Sequence, residues 1–529
     1  MTDTSGRDGE SAVPNRWGHE KDPLPSQPTM TRAVLRGGGW SAIGQVLTLV
    51  ASLLATPLVI RFLGTRYYGL FSLLNVLIGY VAFADLGMSA ASSKFGADAY
   101  ARGDPHHESS VVWTSVVLAA LPAGAVAIAL FVAARPIAEE FLRLDRELAG
   151  VATTALRIAS VGFVARALTG VLNTPQVVRM RWDLNVRITS GGAILQVITV
   201  PIVLALGGGL IAAVTASAAI AVLTAVVHLF VSHHLQPAVW PPSVRRGLMG
   251  PLMRYGLGMV LSYGTLIFLM NVDRIILARL DSISVVAHYS VAAAAAAVLN
   301  IMPYAIAQPL LPGFSLLLAK EEHEEARAMY LTLLRVMALA LMPVVAVLFV
   351  VARPFFAVWA GPTYAEHSTF PFLILVLGVA ANALGTIPGN VLMAADRVSV
   401  IARYHLLQLV PYLVVTVLMI ASFGAVGAAA TWGARAILTA GMYLRAANRV
   451  VSGTRPAEPR RFGFYVAAAL IPGVAAGGIL AASPPLVIGA TVMAIALALY
   501  LVFVWSRLLS ASERSLMRRV IAGIAPKAA

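Results

Sequence analysis

Apolar runs of about 20 residues, separated by short polar segments, follow one another along most of the chain. A helix rises 1.5 Å per residue, so about 20 apolar residues cross roughly 30 Å of hydrocarbon. The pattern predicts an all-α polytopic membrane protein with about 14 transmembrane helices. We number these predicted helices as spans 1 to 14: residues 41–63, 68–93, 111–133, 151–172, 190–207, 209–232, 256–280, 285–310, 329–352, 369–394, 400–421, 424–447, 462–481 and 484–507.

The polar and apolar segments also divide the chain. Residues 1–32 mix both charge signs with Pro, Gly and Ser and contain no apolar run, which predicts a disordered N-terminal tail and no cleavable signal peptide. Spans 1–6 fall in residues 33–250 and spans 7–12 in residues 251–450. Spans 13 and 14 occupy residues 451–510, and a C-terminal tail follows at 511–529.

Composition agrees with this class and excludes several functions. Hydrophobic residues make up 59% of the chain, charged residues 12%, and the mean hydropathy is +0.81, more apolar surface than a soluble fold can bury. The chain has no cysteine, so disulfides, thiolate nucleophiles and cysteine metal sites are excluded. No Gly-Lys pair exists for a P-loop, and the adjacent histidine pairs do not suit two ligands on one helix face. We expect no metal, no cofactor and no catalytic residue.

Basic residues orient the spans. Of the 39 Lys and Arg residues, 27 fall on the side of the two termini, 8 on the opposite side and the rest inside spans. Basic flanks stay on the cytoplasmic side of a membrane, so both termini are predicted to be cytoplasmic. The net charge of +15 is scattered over many loops, which argues against nucleic acid as a partner.

Among the charges inside the predicted spans are Asp85 in span 2 and Arg166 in span 4. A charge at the centre of a membrane helix costs at least about 2.5–3.5 kcal/mol, so each needs a partner or a hydrated cavity. Both sit at similar depth from the inner ends of their spans. Either they form a structural ion pair between spans 2 and 4, or Asp85 faces a central cavity and binds a coupling proton or cation.

Asp273 and Arg274 are adjacent in span 7. Neighbouring residues on a helix point about 100° apart, so the two side chains cannot face the same partner. We expect one of them to face a cavity and the other to anchor the helix. An alternative is that the pair lies near the outer end of the span and reaches the interface.

A faint internal repeat links the two halves. Residues Gly69 to Ser72 follow span 1, and the similar residues Ala287 to Ser290 follow span 7. An offset of six spans gives both halves the same orientation, which predicts parallel repeats about an axis along the membrane normal, with the substrate path between them. Spans 13 and 14 are then additional helices.

Three stretches, "PLVIRFLGTRYYGLFSLLNVLIGYVAFADLG" (57–87), "NVDRIILARLDSISVVAHYSVAAAAAAVLNIMPYAIAQPLLPGFS" (271–315) and "NALGTIPGNVLMAADRVSVIARYH" (382–405), carry a family resemblance. The chain resembles the bacterial polysaccharide flippases, the O-antigen and exopolysaccharide translocases of the multidrug/oligosaccharidyl-lipid/polysaccharide exporter superfamily. The resemblance implies a V-shaped pair of six-helix lobes in the inner membrane. It also implies alternating access that carries an undecaprenyl-pyrophosphate-linked oligosaccharide to the periplasmic leaflet, coupled to H+ or Na+.

The same resemblance implies cavity residues and partners. The candidates carried over by position are Arg61, Asp85, Asp273, Arg274, His288, Asn300 and Gln308, to which depth adds Arg166. Asn300 and Gln308 share one helix face and could line the sugar path or join helices. His288 could sense the proton gradient or be an exposed interfacial histidine. Membrane lipids and a polysaccharide polymerase are the further partners implied.

Two other transport functions stay open, and an enzyme does not fit. A cation-coupled multidrug exporter would want a more aromatic and acidic pocket than this chain offers. A lipid II flippase of peptidoglycan synthesis would carry several arginines in its first helices, where Arg61 is the only basic residue inside span 1. A membrane enzyme of the same pathway needs an aqueous constellation of catalytic groups, and no loop provides one.

Overall fold

The computed structural model describes residues 27–79, 85–259 and 265–451 together with residue 491, and every regular element within these ranges is helical. The longer helices are α1 Gln27–Gly79, α2 Met88–Ala101, α3 Pro105–Pro136, α4 Arg146–Leu172, α5 Thr174–Val178, α6 Trp182–Ala205, α7 Gly209–Leu235, α8 Arg246–Met259, α9 Thr265–Leu280, α10 Ile283–Ala296, α11 Ile301–Ala319, α12 His323–Trp359, α13 Pro362–His367, α14 Thr369–Ala394 and α15 Val398–Val451. Short 3₁₀ turns occupy Pro237–Val239 and Ala297–Asn300, and a π-helical turn, Ile137–Phe141, ends α3.

Each of spans 1 to 12 contains helix in the described residues, which confirms the all-α membrane fold. Nine helical stretches in these residues are long and apolar enough to cross a membrane. Two of them, in α1 and α15, each hold a bend at a glycine with non-helical backbone, Gly64 and Gly424. Apart from residue 491, spans 13 and 14 and the C-terminal tail lie outside the described residues, as do residues 1–26 of the predicted N-terminal tail.

Span 2 is not the continuous helix that its hydropathy predicts. Residues 80–84 lie outside the described residues, and a new helix, α2, begins at Met88. Leu86 and Gly87, just before it, both have left-handed backbone angles, φ 48° and 71°. A left-handed pair cannot continue a right-handed helix, so the chain changes direction within the predicted span.

The helices form two lobes. In the N-terminal lobe α1 packs on α6, and α4 packs between α3 and α7. In the C-terminal lobe α14 packs on α11, α12 and α15, and α15 also packs on α9. The lobes meet where α1 contacts α10 and α11 and where α2 contacts α8. The predicted arrangement of two six-span lobes is thereby confirmed.

A buried ion pair joins two segments at one end of the N-terminal lobe. Glu108 is 1% exposed and receives two hydrogen bonds from the Arg179 guanidinium, at 2.6 and 3.0 Å. Gln236 donates to the same carboxylate at 3.4 Å, and the Arg179 guanidinium also lies 4.7 Å from the Tyr100 ring centre. A bidentate pair with its remaining lone pairs satisfied can offset the cost of burying two charges.

Candidate functional site: a polar cavity between the lobes

A cavity of about 400 Å³ lies between the two lobes. Its walls come from both segments of α1 and from α6 on one side, and from α9 and α10 on the other. This volume is within the usual range of ligand pockets, roughly 300–1,000 Å³. The cavity is lined by polar and small side chains, among them Ser52, Thr56, Tyr68, Ser72, Asn75, Gln196, Asn271, Arg274 and Ser290.

The two repeat segments meet above this cavity. A side chain on Gly69 of α1 would overlap the carbonyl oxygen of Ile283 in α10, and its Cβ would lie 3.3 Å from that of Ala287. Glycine is therefore needed for the two helices to approach this closely. One turn further along each helix, Ser72 and Ser290, which the repeat aligns with each other, both line the cavity.

A second close backbone contact joins α8 to the turn before α2. A Cβ on Gly87 would overlap the carbonyl oxygen of Gly256 in α8, and one on Gly256 would overlap that of Leu86. Five of the α1 residues that line the cavity, from Phe71 to Gly79, fall between Gly69 and Gly87 in the sequence. The two glycine contacts therefore flank this lining segment along the chain.

Arg274 is the charged residue of the described cavity wall. Its guanidinium has one hydrogen bond within the described residues, from Nη1 to Oδ1 of Asn271 at a long 3.4 Å, and its Nε is buried without a partner there. A buried donor without an acceptor costs about 1–3 kcal/mol. An arginine with donors to spare is suited to grip a phosphate oxygen pair.

Asp273 points the other way, into the C-terminal lobe. Its carboxylate is 1% exposed and accepts hydrogen bonds from the Tyr289 hydroxyl and, at 3.0 Å, from the backbone N–H of Arg274. The positive charges that act on it belong to Arg274 and Arg435. Of the two adjacent residues, one thus faces the cavity and the other is anchored in the lobe.

Arg166 does not pair with Asp85, and the hypothesis of an ion pair between spans 2 and 4 is wrong. Its Nη2 donates instead to Oε1 of Gln196 at 2.7 Å. Gln196 lines the cavity from α6, so its remaining amide N–H group is left as a donor there. The depth of Arg166 in span 4 matches that of Asp85 in span 2, but the rotation of α4 turns the Arg166 side chain toward α6 and away from Asp85.

Asp85 is the cap of a helix break. Its Oδ1 accepts the backbone N–H of Gly87 at 2.8 Å, and its Oδ2 accepts the N–H and hydroxyl of Ser89 at 3.3 and 2.6 Å. A carboxylate at the start of a helix satisfies otherwise unpaired N–H groups and the positive end of the helix dipole. Asp85 does not line the cavity; it holds the turn that brings Gly87 onto Gly256.

Three further candidates, Arg61, Asn300 and His288, are not among the described residues that line the cavity. Arg61 is exposed on α1, and Asn300 donates to the carbonyl of Ala297, three residues earlier. His288 is 8% exposed, not the exposed interfacial residue expected, and stacks on the ring of His367 at 4.9 Å. Gln308 belongs to α11, but its side chain lies outside the described part of the structure.

Most of the polar wall was missed from the sequence. Ser52, Thr56, Ser72 and Ser290 are small hydroxyl residues of the kind that occur throughout membrane helices, so their type carries no signal. Gln196 is an exception, because an amide within the apolar run "AILQVITV" has to find a polar partner. Its position in span 5 was a signal that could have been used.

Comparison with known proteins assigns the chain to a family. A family model described as "Polysaccharide biosynthesis protein" matches residues 58–369, more than half of the sequence. The chain belongs to this family. The matched region includes all the residues that line the cavity from α9 and α10, and seven of the ten on α1.

One curated relative has a matching description. The chain is 32% identical over 168 residues to a Shigella flexneri protein described as "Putative O-antigen transporter", and the alignment spans 40% of that relative and 32% of this chain. Among solved structures it is similar to the lipid II flippase MurJ in an inward closed conformation, with TM-score 0.68 and 11% identity, covering 88% of this chain and 99% of MurJ.

An inward-facing multidrug resistance transporter of the MATE family and MOP superfamily is also similar, with TM-score 0.63 and 14% identity, covering 77% of this chain and 95% of the other. At such identities the two structures establish the fold alone. The family resemblance read from the sequence is confirmed, as is a membrane transporter fold shared with flippases and exporters.

Proposed function

We propose that this protein carries an undecaprenyl-pyrophosphate-linked oligosaccharide from the cytoplasmic to the periplasmic leaflet by alternating access. The observation that supports this most directly is the half-buried Arg274, whose donors are largely unused, in a cavity wall that contains no carboxylate among the described lining residues. Such a wall favours an anionic cargo. The lipid tail can stay in the membrane while the polar head crosses in the cavity.

The proposed role of each cavity side chain follows from the groups that it presents. Arg274 would hold the pyrophosphate, because its planar fork matches two phosphate oxygens at once. Ser52, Asn75, Ser72 and Gln196 present hydroxyl and amide groups, which can exchange hydrogen bonds with sugar hydroxyls. Arg166 would act through Gln196, by holding the amide with its N–H group toward the cargo.

The movement would exchange the two glycine contacts. Opening to the cytoplasm requires Gly87 and Gly256 to part, while opening to the periplasm requires Gly69 and Ile283 to part. Each contact brings two backbones so close that one added methyl group would obstruct it. Each contact would therefore be either fully formed, with that side of the cavity closed, or broken, with that side open. In keeping with the distribution of Lys and Arg, we place both termini in the cytoplasm and the Gly87 contact on that side.

Ion coupling, if H+ or Na+ drives the cycle, would use Asp273. Its carboxylate is buried beside the cavity cation and bonded to the next helix through Tyr289, so a change in its charge would act on both Arg274 and the α9–α10 contact. Asp85, by contrast, is saturated by three hydrogen bonds in its own turn. A polysaccharide polymerase would receive the translocated unit.

The first test is a deletion strain whose lipids are analysed by mass spectrometry alongside its surface polysaccharide. We expect the lipid-linked oligosaccharide to accumulate and surface glycan to fall, with rescue by the wild-type gene. Arg274→Ala should fail to rescue, Arg274→Lys should rescue in part, and the matched control Arg61→Ala should rescue fully. Unchanged lipids and glycan in the deletion strain would reject the proposal.

The same measurement separates the alternatives. Accumulation of lipid II together with a growth arrest would indicate the peptidoglycan flippase function, whose cargo also carries a pyrophosphate. Efflux of organic cations in a drug-sensitised host would indicate a multidrug exporter, although the positive cavity wall disfavours such substrates.

A further inference from the structure

A second cavity, of about 640 Å³, lies at the end of the C-terminal lobe where α14 ends and α15 begins and returns. Gly424 divides α15 into two antiparallel segments, as the contacts of His405 with Tyr443 and of Gln408 with Thr439 demonstrate. The first and last turns of α15 therefore lie side by side. This is the end that the charge distribution assigns to the cytoplasm.

Three arginines line this cavity: Arg397, Arg403 and Arg449. All three are exposed, and within the described residues none of them has a carboxylate in ion-pair distance or a side-chain hydrogen bond. The nearest acid in the chain is the exposed Asp396, which precedes Arg397. The site therefore carries a net positive charge that the described part of the protein leaves uncompensated.

The backbone adds to this charge. The α15 helix begins at Val398 and has no acidic residue in its first turn, although Asp396 lies two residues before it. The positive end of a helix dipole next to arginines favours phosphate or a similar anion.

The remaining wall of the cavity is largely apolar. Val400, Arg403, Tyr404 and Leu407 are spaced so that they share one face of α15. Leu406 and Leu407 are 46% and 69% exposed. A surface with cations at one end and exposed leucines next to them matches a lipid, with its phosphate at the arginines and its acyl chains along the leucines.

We propose that this cavity binds an anionic phospholipid of the cytoplasmic leaflet. The exposed leucines favour a lipid over free phosphate, because a soluble ion would leave them uncovered. Bulk lipid is favoured over the transported cargo because the cavity shares no lining residue with the central cavity. The assignment does not depend on which glycan the protein carries.

Native mass spectrometry of the full-length protein in neutral detergent tests this, with phosphatidylglycerol and phosphatidylcholine added in equal amounts. We expect preferential retention of phosphatidylglycerol, reduced by about tenfold or more in the triple variant Arg397→Gln/Arg403→Gln/Arg449→Gln, as for the loss of one charge-assisted contact. The matched control is Arg245→Gln/Arg246→Gln/Arg254→Gln, which removes the same charge from exposed arginines elsewhere and should retain the lipid.

Three outcomes would overturn the proposal. Equal retention by wild type and the triple variant would mean that the arginines do not hold the lipid. Displacement of phosphatidylglycerol by excess inorganic pyrophosphate would indicate a headgroup-only anion site. Preference for undecaprenyl phosphate over phosphatidylglycerol would assign the cavity to the cargo. Circular dichroism of the triple variant serves as the folding control, and Arg403→Lys, which keeps the charge, should bind like the wild type.

Discussion

Trp359, the last residue of α12, donates its indole N–H to the backbone carbonyl oxygen of Leu53 in α1, at 3.1 Å. Leu53 stands four residues before Pro57, which lies inside the same helix and has no N–H to donate to that carbonyl. The C-terminal lobe thus supplies the donor that a proline removes from the N-terminal lobe. This bond joins the lobes beside the central cavity.

Trp359→Phe keeps the aromatic ring and removes the bond between the lobes. Loss of one hydrogen bond of about 0.5–1.5 kcal/mol should raise the population with separated lobes roughly two- to tenfold. The natural chain contains no cysteine, so Asn75→Cys places a single thiol in the cavity. Its labelling by a membrane-impermeant reagent from the periplasmic side measures this population.

Two companion variants make the Trp359 test specific. Pro57→Ala supplies the missing helical N–H, so in that background Trp359→Phe should have a smaller effect, as in a double-mutant cycle. Trp113→Phe removes another indole-to-carbonyl bond, to Val239, away from the α1–α12 contact, and should leave labelling unchanged. Equal effects of Trp359→Phe with and without Pro57 would contradict the role assigned to the proline.

Gly69→Ala should hold the lobes apart where the repeats meet. The added methyl group would overlap a backbone oxygen, that of Ile283, which cannot rotate away as a side chain can. Overpacking of this kind costs about 1–3 kcal/mol, so we expect faster labelling of the cavity thiol and reduced transport. Gly150→Ala, which meets open space in α4, is the control. Normal transport by Gly69→Ala would show that the contact is not part of the cycle.

Asp85→Ala should destabilise the protein without changing its ion dependence. Loss of a helix cap typically costs about 0.5–2 kcal/mol, and Ser89→Ala, which removes one of the bonds to the carboxylate, should lower the unfolding temperature less. Thermal unfolding in detergent measures both. A variant as stable as the wild type whose transport no longer responds to H+ or Na+ would instead make Asp85 a coupling residue.

Asp273→Asn should change the ion dependence of transport and leave the stability of the protein unchanged. The amide oxygen of asparagine can still accept the bond from the Arg274 N–H, and its NH2 group, at the other carboxylate position, can donate to the Tyr289 hydroxyl oxygen. Folding should therefore be preserved while the charge is lost. If Asp273 couples the cycle to an ion, stimulation by that ion, which for couplings of usual size is roughly 5- to 150-fold, should disappear. Flipping measured in vesicles at two pH values, with and without Na+, decides this. Retained stimulation would exclude Asp273.

The sequence alone determined the membrane class, the all-α fold and the approximate positions of spans 1 to 12, apart from the break in span 2. These depend on the length of apolar runs and on the cost of burying charge, which are local properties of the chain. It also led to the expectation that Asp273 and Arg274 point to different neighbours, because the angle between adjacent residues on a helix does not depend on packing.

Only the tertiary structure decided which side chains meet. The rotation and tilt of each helix are set by packing against its neighbours. Depth alone therefore suggested an Asp85–Arg166 pair, where packing instead joins Arg166 to Gln196 and leaves Asp85 to cap α2. The cavity wall depends on the same rotations. So does the bond from Trp359 to Leu53, because its two residues are 306 positions apart and no periodicity connects them.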